Sequence, residues 1–119
     1  MANPYGVPEI TVQEVVNKKN NDESFIWIDV REAQEYGVSI QDDSIVRLPL
    51  SELAARQLDA LPDEIASNKE AEIIAFCHHG MRSAQVVAWL SQQGWTNVIN
   101  MDGGIDAWAN EIDPSIGTY

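Results

Sequence analysis

"AEIIAFCHHGMRSAQVVAWLSQQG", residues 71 to 94, runs an apolar segment into a polar turn and out again into a helix-like stretch. The segment "AEIIAF" is short, mostly apolar and β-prone, the signature of a strand covered on both faces. From Ser83 to Gln93 apolar residues recur at helical spacing, and Gly94 offers the left-handed conformation that closes a helix. A strand that feeds a helix through a few residues carries Cys77, the only thiol of the chain, to the carboxyl end of that strand. In open α/β sheets ligands bind beyond those ends.

The rest of the chain repeats the alternation. "FIWIDV", residues 25 to 30, is a second buried strand, and "NVINM", residues 97 to 101, is a third. "IVRLPL", residues 45 to 50, is a weaker strand closed by Pro49. Thr11 and Glu14 stand at capping-box spacing ahead of a Val12, Val15 and Val16 stripe, so a helix to about Lys19 is expected. "REAQEY" reads as one helical turn. Ser51 is placed to cap a helix over residues 52 to 58 with Leu53 and Leu58 inward, and Pro62 to open another through about Ser67. Gly103-Gly104 leads into a last helix carrying Ala107 and Trp108. Apolar strands alternating with helices predict a three-layer α/β domain with a central, mostly parallel sheet.

Length and composition bound what the domain does. The chain has 119 residues, 45% of them hydrophobic and four of them Trp, which suits one domain spanning 1 to 119 with a packed core. Residues 1 to 8 are turn-forming and expected to be loosely held. Seven basic against 19 acidic side chains give a formal charge of −12. Such a surface repels nucleic acid and anionic membranes, so neither is expected as a partner. One Cys excludes an intramolecular disulfide and fits a reducing compartment. The opening residues do not read as a secretory signal, and no apolar run approaches the ~20 residues of a membrane span. A cytoplasmic protein is expected.

The turn after Cys77 has its own chemistry. The first N–H groups of the following helix lack internal partners and point into the loop, and the helix dipole adds positive potential there. Gly80 permits a backbone angle that gathers successive N–H groups around one concavity. Arg82 adds a permanent charge with a fork of donors. The result is an anion cradle with sulfur at its floor, surroundings that favour a nucleophilic thiolate. Packing alone explains a lone buried Cys, but does not call for His, Gly, Arg and Ser beside it.

"CHHGMRSA", with "IDVREAQEY" before it and "NMDGGIDAW" after it, resembles a single-domain rhodanese, a sulfurtransferase. The resemblance covers the chain from about residue 9 to the end. It implies a small α/β domain around a parallel sheet, with Cys77 as the sulfur-accepting nucleophile. By the same resemblance His78, His79, Gly80, Met81, Arg82 and Ser83 form the substrate-binding loop. Asp29 and Arg31 match the family's Asp-x-Arg pattern beside that loop, and Glu35 and Tyr36 the pair that commonly follows. Gly103, Gly104 and Trp108 match its closing signature. The segment "GVSIQDDSIVRLPL" departs from the "GHIPGA" type usual in the family, which alters the pocket rim. The implied donor is a small anionic sulfur compound such as thiosulfate, and the acceptor cyanide or a thiol.

Four residues separate Cys77 from Arg82. Phosphatases on this fold space Cys and Arg by five, so the shorter loop suits a sulfane sulfur better than a phosphoryl group. No cofactor is expected. A zinc site is not expected either, because adjacent His78 and His79 tend to diverge and metals take three or four converging ligands. Asp29 and Arg31 are open to two readings, support of the loop or a local Arg31–Glu35 pair at helical spacing. A non-catalytic persulfide carrier or docking module, and a cysteine redox sensor, are the competing functions. The acidity also points to a basic partner protein.

Overall fold

The computed structural model of the protein describes residues 5–119. Five strands form one sheet: β1 Glu9–Ile10, β2 Ile26–Asp29, β3 Val46–Arg47, β4 Ile73–Phe76 and β5 Val98–Met101. Their order is β1-β5-β4-β2-β3, and every pairing is parallel. The helices are α1 Val12–Asn20, α2 Leu50–Arg56, α3 Asp63–Ala66, α4 Met81–Gln92 and α5 Gly104–Glu111, with short 3₁₀ turns at Ala33–Glu35, Gln57–Ala60 and Pro114–Ile116. Of the segment expected to be loose, residues 1–4 lie outside the described residues. The Pro8 carbonyl already accepts from the Asn100 N–H at 2.9 Å.

Side chains alternate across a strand, so each apolar strand feeds two cores. Ile28, Ile73, Ala75, Cys77 and Val98 meet Leu53, Ile65, Val86, Val87 and Leu90 on one face. Trp27, Ile74, Phe76 and Met101 meet Val12, Val15, Ile105 and Trp108 on the other. Helices therefore cover both faces, which is why apolar residues fill both sides of the central strands, save Asp29 and Asn100, rather than alternate positions. No described helix is long and apolar enough to cross a membrane.

Several element boundaries differ from expectation for local reasons. The helix after the cysteine begins at Met81 rather than Ser83, because Gly80 at φ 105° turns the chain within one residue and serves as its N-cap. The helix expected over 52 to 58 runs from Leu50 to Arg56 behind Pro49. Ser51 lies inside it and its hydroxyl donates to Glu32 instead (2.5 Å). Leu58, expected inward, is 45% exposed, because the chain leaves α2 in a 3₁₀ turn that redirects it outward. β1 gave no sequence signal of its own. Its two residues pair with β5, and Ile10 is buried in the core beneath α1 and α5. The Thr11 box forms as read, with Thr11 Oγ1 accepting from Glu14 N and Glu14 accepting from Thr11 N.

Candidate active site

β4 is the middle strand of the sheet, and Cys77 follows it directly. The residue is 1% exposed. Its sulfur faces the Gly80 N–H at 3.1 Å, the Ser83 N–H at 3.4 Å and the Ser83 hydroxyl at 3.3 Å. Two amides from the start of α4 and one hydroxyl thus converge on one sulfur. Donors so arranged stabilise negative charge at that atom before any reaction begins.

A second helix supports the loop from behind. The N–H groups of Ile105 and Asp106 at the start of α5 donate to the carbonyls of Cys77 (2.8 Å) and His78 (3.0 Å). Those two carbonyls are thereby turned away from the sulfur, which leaves amides on its side. Gly103 and Gly104 make this possible. A Cβ on Gly104 would overlap both carbonyls, and its φ of 60° is one that L side chains avoid. The Gly-Gly pair is thus more than a tight turn: it sets the distance between the loop and α5.

Asn100 is wholly buried on β5 and is not among the candidate residues drawn from the sequence. Its Nδ2 donates to Glu9 (3.0 Å) and to the Gly80 carbonyl (3.1 Å), which leaves Oδ1 to accept from the Ser83 hydroxyl (2.5 Å). That hydroxyl has one proton and two acceptors in reach, Asn100 Oδ1 and Cys77 Sγ. It can turn from the amide to the sulfur when negative charge builds there. An Asn inside an apolar "NVINM" strand was the signal available for this role.

Asp29 and Arg31 form a buried pair, with Arg31 0% exposed. The guanidinium donates to both Asp29 oxygens (3.0 and 2.8 Å), to the Glu35 and Val38 carbonyls (3.0 and 2.8 Å) and to the Tyr119 hydroxyl (3.2 Å). It thus meets the Glu35 backbone, whereas the Glu35 carboxylate belongs to Arg82. Arg82 grips that carboxylate with two bonds, 2.6 and 2.7 Å. This grip, first among the causes, holds the Glu35 carboxyl down to about 2. The permanent charge that Arg82 brings to the loop is therefore balanced by Glu35.

The two histidines do not diverge. Their rings stack at 3.8 Å, and His78 is also stacked against Tyr119 at 3.8 Å and 10°. His78 thus stacks on both rings. Burial, then the adjoining His79, hold the His78 imidazole below its ordinary value. His79 Nδ1 lies 3.8 Å from an Asp106 oxygen. Potential ligand atoms of His78, His79 and Asp106 fall within 4.8 Å of one another. Lone pairs of imidazole lie in the ring plane, so two stacked rings cannot both aim at one ion. These residues fit a metal only after His79 turns. Met81, at the mouth of the loop, is 52% exposed.

A five-stranded parallel sheet covered by helices, with a cysteine cradled by amides at the end of its middle strand, defines a class of small α/β domains. The profile of the rhodanese-like domain matches residues 11–111, and the chain belongs to that family. It is 37% identical over 95% of its length to a chloroplastic rhodanese-like/PpiC domain-containing protein of Arabidopsis thaliana, of which it covers 38%. It is 30% identical over 92% of its length to a sulfurtransferase of Allochromatium vinosum, of which it covers 95%. The crystal structure of a rhodanese-like domain protein from Staphylococcus aureus superposes with a TM-score of 0.67 at 29% identity, covering 88% of this chain and 94% of that one. Several curated relatives are longer, and the chain spans only 38%, 56% and 30% of three of them. At the level of the family, homology supports sulfur transfer or persulfide carriage.

Proposed function

We propose that the protein is a sulfurtransferase that moves a sulfane sulfur through a persulfide on Cys77. The observation that carries this reading is the convergence of Gly80 N–H, Ser83 N–H and Ser83 Oγ–H on Sγ. The Cys77 thiolate attacks the outer sulfur of a donor such as thiosulfate. The donor's S–S bond breaks, sulfite departs with the bonding pair, and Cys77–S–S⁻ remains. A nucleophile, cyanide in an assay or a thiol in a cell, then attacks the outer sulfur and restores the thiolate. The amides and the Ser83 hydroxyl stabilise the anionic sulfur at each stage. Arg82, tied to Glu35, orients the approach of the donor more than it attracts it.

Intact mass after thiosulfate treatment tests the scheme. Wild type gains one sulfur and loses it to cyanide, and Cys77→Ser gains none. A Cys77→Ser protein that still gained sulfur would remove the basis of the proposal. An aryl phosphate assayed in parallel stays unhydrolysed if the four-residue spacer excludes phosphoryl transfer.

A second reading, a persulfide carrier that unloads only to a docked partner, is favoured by the near-complete burial of Cys77 and the internal balancing of Arg82. The net charge of −12 then selects a basic partner and disfavours nucleic acid and anionic membranes. Multiple turnover with free cyanide separates the enzyme from the carrier. Both readings require a reducing compartment such as the cytoplasm, where the lone thiol stays available.

A further inference from the structure

The proposed function leaves Tyr119 unused, yet the residue touches three parts of the site at once. Its ring lies flat on His78. Its hydroxyl donates to Glu35 Oε1 at 2.9 Å and accepts from Arg31 Nη1 at 3.2 Å. A phenol is protonated at neutral pH, so the hydroxyl can donate there, although the residue as a whole is 46% exposed. Two ion pairs flank the loop, the buried Asp29–Arg31 pair and the partly buried Glu35–Arg82 pair. Tyr119 is the side chain that links them.

We infer that Tyr119 is a positioning residue for the active loop, fixing Arg82 through Glu35 and His78 through its ring, so that the donor meets one preset arrangement. This rests on the reading of Cys77 as sulfur acceptor. The Glu35 carboxylate accepts two bonds from Arg82, one from the Glu32 N–H and one from Tyr119. Removal of the phenol leaves Glu35 free to tilt on that side and Arg82 to follow it. Arg31 keeps Asp29 and two carbonyls, so the fold itself loses little. The sulfur keeps all three of its donors. The effect therefore falls on donor engagement and spares the chemical step, since positioning by Arg82 is shared by the bound donor and the transition state.

Tyr119→Phe retains the stack and removes both hydroxyl bonds, and Tyr119→Leu removes the stack as well. Sulfur loading of Cys77 is followed in single turnover against thiosulfate concentration. In Tyr119→Phe the half-saturating concentration rises about three- to tenfold, the scale of one net hydrogen bond, while the limiting rate stays within about twofold. Tyr119→Leu shows the larger rise. The His78 ring protons are shifted upfield by both His79 and the phenol in wild type; Tyr119→Phe keeps the whole shift and Tyr119→Leu loses the part due to the ring at 119, which reports the stack without any activity. A Tyr119→Phe protein with wild-type half-saturation overturns the inference while the Cys77 scheme stands. So does a loss of limiting rate that merely tracks a loss of melting temperature, and so does a wild-type His78 spectrum without the upfield shift. Wild type that takes up no sulfur overturns the Cys77 scheme and this inference together.

Discussion

At the scale of single residues, the proposed reading rests the chemistry on the Cys77 sulfur and the hydroxyl beside it. Ser83 is the one side chain that can add a mobile proton donor to the two fixed amides around Cys77. Ser83→Ala removes it and leaves Asn100 Oδ1 buried without its partner. Loading by thiosulfate slows about tenfold, equivalent to ~1.4 kcal/mol, and the decay of the loaded protein quickens, both read by mass spectrometry over time. Ser83→Thr, which keeps the hydroxyl, recovers most of the rate. Glu35 supplies a pH test. Its carboxyl titrates near 2 in the folded chain against 4.5 ordinarily, so the unfolded chain binds more protons between those values. The stability it contributes is complete above about pH 4.5 and is lost as pH falls through about 2. Glu35→Gln flattens that part of the acid limb of a denaturation profile. An unchanged limb would show that the Arg82 pair does not persist in solution.

At the scale of elements, the loop between β4 and α4 is held by what lies around it rather than by its own sequence. The start of α5 takes the Cys77 and His78 carbonyls, β5 offers Asn100, and the turn after β2 offers Arg31 and Glu35. Gly104→Ala presses a methyl into the loop carbonyls at a positive φ. Unfolding in urea shows a loss of roughly 3 kcal/mol, the combined scale of overpacking and a disfavoured backbone, and sulfur uptake falls with it. The Asp29–Arg31 pair is a separate support. Arg31→Leu or Asp29→Leu alone strands a buried charge and costs about 3–5 kcal/mol, whereas the double variant costs clearly less than the two added together. Strict additivity of the two would mean that the pair does not act as a unit.

At the scale of the whole molecule, the charge of −12 opposes a dianionic donor, and the internal pairing of Arg31 and Arg82 leaves little local relief. Modest inert salt screens this field and speeds loading at low thiosulfate. A rate that falls steadily from the first addition of salt would contradict that field as the governing barrier. Under the carrier reading proposed above, the same charge would draw a basic acceptor protein toward the molecule, with an association rate that falls as salt rises. The two salt responses are opposite in sign, so measured together they separate donor encounter from partner encounter.

The local pattern of the chain carried much of the answer. Apolar runs at 25 to 30, 71 to 76 and 97 to 101 named the central strands, since a segment covered on both faces needs no polar alternation. Cys77, Gly80 and Ser83 were legible because the chemistry of a strand-to-helix corner depends on neighbours in sequence. Asn100, the Glu35–Arg82 pair and the Tyr119 stack were not, since their partners stand 17, 47 and about 40 residues away and meet only when the sheet orders its strands. The stacked histidines belong with them, because adjacency favours divergence until a distant ring supplies a surface. Sequence alone determined that the single thiol would sit at a strand-to-helix corner. Tertiary structure decided which charges would face it, because an ion pair between distant residues forms by proximity in space.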